Sequence, residues 1–219
     1  MSSIAIKGAY LELMPAFEKR SGNKVATQWG GMADIRKRMH AGETVDVVIG
    51  SAALIEELAR NGTLAHRVNL AQSGVGAAVR AGAPRPDIGS VDALKRALLE
   101  AKSIVYSSGP SGVYLAELFQ RLGIAEALKA TAKQLPPGVL VAEAVARGEA
   151  ELCFQQLPEL RQVSGIDYVG PLPAEVQSIT LFSGAVHSKA KQPQAGKALL
   201  AFLASNEALS VMRQKGFDG

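Results

Sequence analysis

Cysteine is nearly absent from this chain: Cys153 stands alone among 219 residues, in the apolar run "AELCF". No intramolecular disulfide can form, and the expected role of that thiol is a buried small hydrophobe. Aromatic residues make up only 5%, which argues against the base-stacking platforms of single-stranded nucleic-acid binders. No apolar run reaches the roughly 18 residues of a membrane-spanning helix. The histidines His40, His66 and His187 lie far apart, without H-x-x-x-H or C-x-x-C spacing, so no metal site is expected. A G-x-S-x-G elbow and a P-loop are also missing. Charge of one sign is not in excess either: 24 basic against 20 acidic side chains leave +4. The densest basic run, Arg36–Arg38, falls in a helical pattern and reads as a solvated face rather than a nucleic-acid patch.

What the chain does have is alternation. "SIAI" (Ser3–Ile6), "KVATQW" (Lys24–Trp29) and "VDVVIG" (Val45–Gly50) read as strands. Each precedes a helical pattern, and these close on Gly22, on Gly42 and at Asn61-Gly62. Ser51 and Ser90 are natural helix N-caps. Further units run through "SIVY" with a helix at Gly112–Leu122, a strand near Ala130–Leu135 with a helix at Val139–Arg147, and strands at Ala150–Gln156 and Ile166–Pro173. Such alternation predicts an α/β fold with mixed sheets flanked by helices. Two long strand-like runs, Ser73–Arg80 and Val176–His187, predict two crossings between lobes. Lobe 1 is then residues 1–78 with 182–219, and lobe 2 is the inserted 79–181. A ligand cleft is expected between the lobes, where strand ends and helix starts converge.

Four loops at strand ends carry Gly or Ser directly before a helix: Lys7–Tyr10, Trp29–Ala33, Gly50-Ser51 and Ser107–Gly112. Helix starts leave backbone N–H groups without partners, so four such loops in equivalent places predict a seat for an anion. "GVGAAVRAG" (Gly74–Gly82) echoes a dinucleotide fingerprint but lies within a strand, which excludes that reading. His40 ends a helix, where a structural role suffices, while His187 follows the second crossing strand and is a candidate for the cleft. The amide pair Gln155-Gln156 follows an apolar strand, and amides serve as well in a solvated loop as against a ligand.

The stretches "SGVGAAVRAGAPRPDI", "DALKRALLEAKSIVYSSGPSGVYLAELFQRLGI", "VARGEAELCFQQLPEL", "IDYVGPLPAEVQ" and "ALLAFLASNEALSVMRQKGFD" carry a resemblance. Together they resemble the periplasmic solute-binding proteins of ABC importers with the type II fold, in the molybdate-binding-like branch. The resemblance implies two α/β lobes about a hinge and a monomer that captures a small anion for a membrane permease. It implies no cofactor, no nucleic acid and an extracytoplasmic setting with any leader removed; a cytoplasmic sensing domain is the alternative setting. Donors expected from lobe 1 are Gly8, Ala9, Tyr10, Gly30, Gly31, Met32 and Ser51. Those expected from lobe 2 are Ser107, Ser108, Ser111, Gly112, Val113, Tyr114, Gly138, Gln155 and Gln156. The family's loop serines fall near Ala9 and near Met32-Ala33, and its tyrosine falls near Gln156. At those three places the chain departs from molybdate binders, so a small carboxylate fits the seat as well as molybdate or tungstate. The branch is also similar to aconitate isomerase, an enzyme on the same scaffold. That alternative needs a general base, for which Tyr10, Tyr114 and His187 are the candidates; the binding-protein reading expects no catalytic residue.

Overall fold

The computed structural model describes residues 1–218. They form two compact units, Met1–Ser73 with Thr180–Gly219, and Gly74–Ile179. The unit changes thus fall at 73/74 and 179/180, slightly before the expected crossings. The expected strand Ser73–Arg80 is broken at Gly74, and the second crossing strand begins only at Thr180.

The first unit runs through β1 (Ser2–Ser3), α1 (Lys7–Ser21), β2 (Trp29–Gly30), α2 (Met32–His40), β3 (Val47–Ser51), α3 (Ala52–Arg60) and β4 (Leu64–Ser73). The second holds β5 (Val75–Arg80), α4 (Val91–Glu100), β6 (Ile104–Tyr106), α5 (Pro110–Arg121), α6 (Ala125–Leu128), β7 (Ala132–Gln134), α7 (Val141–Ala146), β8 (Leu152–Gln156), α8 (Leu157–Leu160) and β9 (Ile166–Pro171). The chain then returns to the first unit as β10 (Thr180–His187), α9 (Pro193–Leu203) and α10 (Asn206–Gln214).

Each unit has one five-stranded sheet, and the two sheets share a plan. The strand orders are β2-β1-β3-β10-β4 and β7-β6-β8-β5-β9. In each, the first three strands are parallel; the fourth runs antiparallel to both of its neighbours. The like positions are therefore β1 and β6, β2 and β7, β3 and β8. Each of these strands is followed by a helix, and all three helix starts lie along the carboxyl edge of their own sheet.

Burial explains why these segments fold as they do. In α3 the Ser51 hydroxyl accepts from the Leu54 N–H at 3.4 Å, and Leu54, Ile55 and Leu58 are fully buried. Three such side chains contribute roughly 5–9 kcal/mol of transfer free energy before the entropy cost of ordering them. Successive strand residues serve opposite faces. Val47 and Ile49 pack with Leu13, Phe17, Leu200 and Met212, whereas Val48 packs with Ile35, Leu54 and Leu58. In the second unit Ile104 and Phe154 join Leu94, Leu115 and Leu118, while Val105 and Cys153 join Val141, Val145 and Leu160. Both faces of each sheet are covered, as its parallel strands require.

Two expectations change here. "SIAI" is mostly not a strand: after Ser3 the chain turns at once into a short 3-10 helix, Ile4–Ile6, with the Ser3 hydroxyl accepting from the Ala5 N–H at 3.3 Å. The run Val176–His187 is not one strand either, because the Gln177 side chain replaces a backbone partner. Its Oε1 accepts from the Val75 N–H at 2.8 Å and its amide donates to the Val75 carbonyl at 3.0 Å.

Candidate functional site

In the second unit the carboxyl edge is built around the turn from β6 to α5. Gly109 stands at the N-cap in extended conformation, no side chain caps the helix, and Pro110 opens it. Proline suits that place because its missing N–H would be unsatisfied there anyway. The Gly112 and Val113 N–H groups both turn onto the Gly109 carbonyl, at 2.9 and 3.0 Å. The N–H groups of Ser108, Gly109 and Ser111 are left without partners among the described residues. The Ser107 and Ser111 hydroxyls are buried and 2.9 Å apart. Gly112 is required for a steric reason. A Cβ there would lie 1.4 Å from the Ser107 carbonyl oxygen, so only glycine lets the turn close.

The Tyr114 hydroxyl is engaged within the unit. It donates to the Val176 carbonyl at 2.8 Å and accepts from Arg121 at 2.9 Å. Gly138 lies in the loop before α7 with φ +82°, a left-handed turn that favours glycine. No side chain of its own caps α7. Instead Gln155, at the end of β8, reaches across and accepts from the Val141 N–H at 3.0 Å. The other end of that amide donates to the Glu159 carboxylate, so the buried Gln155 is internally engaged at both ends. Gln156 is buried as well, at the N-cap of α8.

Glu159 is the group that the sequence reading missed. Its carboxyl is raised to about 7, first by burial, against the lowering effect of bonds from the Gln155 amide and the Gln156 N–H. No cation is among the groups that set this value. The bond back to the N-cap N–H is the capping-box arrangement. The signal was present as Gln156-x-x-Glu159, but glutamine is not a usual capping residue. Cys153, deep beneath the same edge, has its thiol pushed up to about 12 by burial and stays an unreactive hydrophobe.

The first unit's carboxyl edge is more self-contained. Gly8, Ala9 and Tyr10 sit in the first turns of α1, beyond the 3-10 helix; Ala9 and Tyr10 are buried. The loop after β1 is thus Ile4–Ile6, and the sequence reading placed it about one turn late. Tyr10 packs edge-on against Trp29, accepts from the Thr27 hydroxyl at 3.0 Å, and has its phenol raised by burial. The Ser51 hydroxyl caps α3, and its N–H donates to the Met32 sulfur at 3.3 Å. Gly30 and Gly31 form the uncapped start of α2, but Asp34 already occupies its first turn. His187 is corrected too. It ends β10 beside the start of β3, away from the helix starts, and its Nδ1 accepts from the Lys189 N–H at 3.0 Å. His40 bonds Glu57 at 3.0 Å from the last turn of α2.

Among the described residues no helix is long and apolar enough to cross a membrane, and no group of three or more potential ligands could hold a metal ion.

A family model for bacterial extracellular solute-binding proteins matches residues 1–218. The chain belongs to that family. It is 42% identical over 224 residues to an aconitate isomerase of a Pseudomonas species, spanning 99% of this chain and 85% of that one. The periplasmic molybdate-binding protein of Azotobacter vinelandii superposes with a TM-score of 0.81 at 16% identity, covering 99% of this chain and 96% of that one. The sulfate-binding protein SubI of Mycobacterium tuberculosis superposes with a TM-score of 0.76 at 21% identity, covering 99% and 84%. At such identities these structures speak for the fold alone, which is the two-lobed type II fold of periplasmic binding proteins.

Proposed function

We propose that this member of the solute-binding family recognises a small polycarboxylate of the aconitate class and interconverts its cis and trans forms. The carrying observation is the 42% identity to an aconitate isomerase along nearly the whole chain. The second unit's edge supports it. Three backbone donors there lack partners, with no acidic residue in the first turn of α5, so a carboxylate is favoured at that helix start. Two exposed valines, Val113 on α5 and Val139 in the loop between β7 and α7, add apolar surface on the same sheet edge. A tetrahedral oxyanion has no use for it, whereas a carbon skeleton does. Isomerisation moves one proton along the substrate's allylic system and needs neither cofactor nor co-reactant.

The test is proton NMR of cis- or trans-aconitate incubated with the protein. Interconversion above the uncatalysed rate is expected; bound but unchanged aconitate would remove the enzymatic half of the reading. A second reading rests on the family itself: an extracytoplasmic monomer capturing the anion for an ABC permease. A thermal-shift series with molybdate, tungstate, sulfate, phosphate, citrate and the aconitates separates the ligand classes. Ligand at about 100 times its dissociation constant stabilises by roughly 2.7 kcal/mol. A shift with the tetrahedral anions alone would favour capture.

A further inference from the structure

We infer that Glu159 is the group that carries the proton in this site, and that Gln155 is the residue that positions it. The inference rests on the isomerase reading and names its base. The Glu159 carboxylate accepts from the Gln155 amide and from the Gln156 N–H. Gln155 is held in turn by the Val141 N–H at 3.0 Å. A carboxylate has about four acceptor positions, so two remain for a proton. The strands β6 and β8 are direct neighbours and run parallel. The open donors at Ser108, Gly109 and Ser111 and the carboxyl of α8 therefore share one sheet edge.

A capping glutamate needs none of the remaining features. An exposed capping carboxylate stays ionised at low pH, whereas burial holds this one near 7, where a group can both take and return a proton. Of the two strands that contact α8 most, β5 carries Arg80 only at the far edge and β8 offers only the buried Cys153 thiol; from β9 the Tyr168 ring lies beside Leu157 of α8 at Gly76. Arg161 follows Glu159 on its own helix end. In the reaction the Glu159 carboxylate takes a proton from the substrate's methylene carbon. The C–H electron pair becomes the new C=C, the π pair of the old C=C moves to its far carbon, and that carbon takes the proton back from Glu159. Nothing else is consumed.

The experiment compares wild type with Glu159→Gln in D2O, following deuterium entry into aconitate and isomerisation by NMR, with binding measured by calorimetry. The variant is expected to bind trans-aconitate within about threefold of wild type and to lose at least ~100-fold in both rates. An active wild type with an equally active variant overturns the assignment alone. A wild type that binds aconitate without exchange or turnover overturns the assignment and the isomerase reading together. Should the variant fold poorly, the wild-type pH profile decides. Measured against the ionisation of aconitate itself, kcat/KM should rise with pH through the region near 7; a flat profile overturns the assignment. Gln155→Met removes a donor to the carboxylate and should move that rise to higher pH. A merely structural Gln155 would leave it in place.

Discussion

The two sheets follow one plan, yet their carboxyl edges differ in how the helix starts are satisfied. In the first unit Ser3 and Ser51 cap the elements after β1 and β3, Met32 sulfur takes the Ser51 N–H, and Asp34 fills the first turn of α2. In the second unit the equivalent of the Ser3 position is an uncapped glycine, α7 borrows its cap from Gln155, and α8 is capped backwards by Glu159. The same topology thus yields one edge with serine caps on two of its three helix starts and one where the α5 start leaves backbone donors open. Recognition is a matter of which polar groups the fold leaves unpaired, and architecture alone does not decide it.

The contrast can be broken most forcefully at Gly112. Gly112→Ala puts a methyl group against the Ser107 carbonyl, and a loss of about 4 kcal/mol or more is expected. Calorimetry should show the melting temperature falling by about 8–16 °C. Next comes a matched pair. Ser111→Pro removes an open N–H and the hydroxyl beside Ser107, and should weaken aconitate binding by about 10- to 100-fold, as a bond to a charged group is worth roughly 1.5–3 kcal/mol. Ser51→Ala removes only a cap, so it should lower stability by about 1 kcal/mol and leave affinity unchanged. Reversed outcomes would exchange the roles of the two edges. The smallest effect is expected from Asp34→Asn, which withdraws a carboxylate from the α2 start. Calorimetry should show stability falling by a dipole effect of about 0.3–1 kcal/mol. Unchanged stability would mean that the α2 start makes no use of that carboxylate.

Much of this was legible in the sequence, and the parts that were not share a cause. Serine caps at Ser51 and Ser90 and helix closures at Gly22, Gly42 and Gly62 are local signals, and all occur as read. "SIAI" misled because a run of four apolar residues suits a buried strand and a buried turn of helix equally. The strand β4 went unread since its exposed residues, such as His66 and Arg67, break the apolar pattern. The site was legible as far as the open loop at Ser107–Ser111. The bond from Val141 to Gln155 spans 14 residues and that from Val75 to Gln177 spans 102. No window of sequence contains such partners, so the engagement of Gln155 and the half-buried place of Glu159 became visible only in the fold.

The turn at Gly112 has a consequence for how such a protein can diverge. One position that accepts no side chain fixes the path of the main chain, and the donors that path presents belong to the backbone of its neighbours. Ser108, Val113 and Val139 can then be exchanged while the turn and its N–H groups stay put. On the proposed function, a lineage carrying this loop changes its ligand by altering the rim alone.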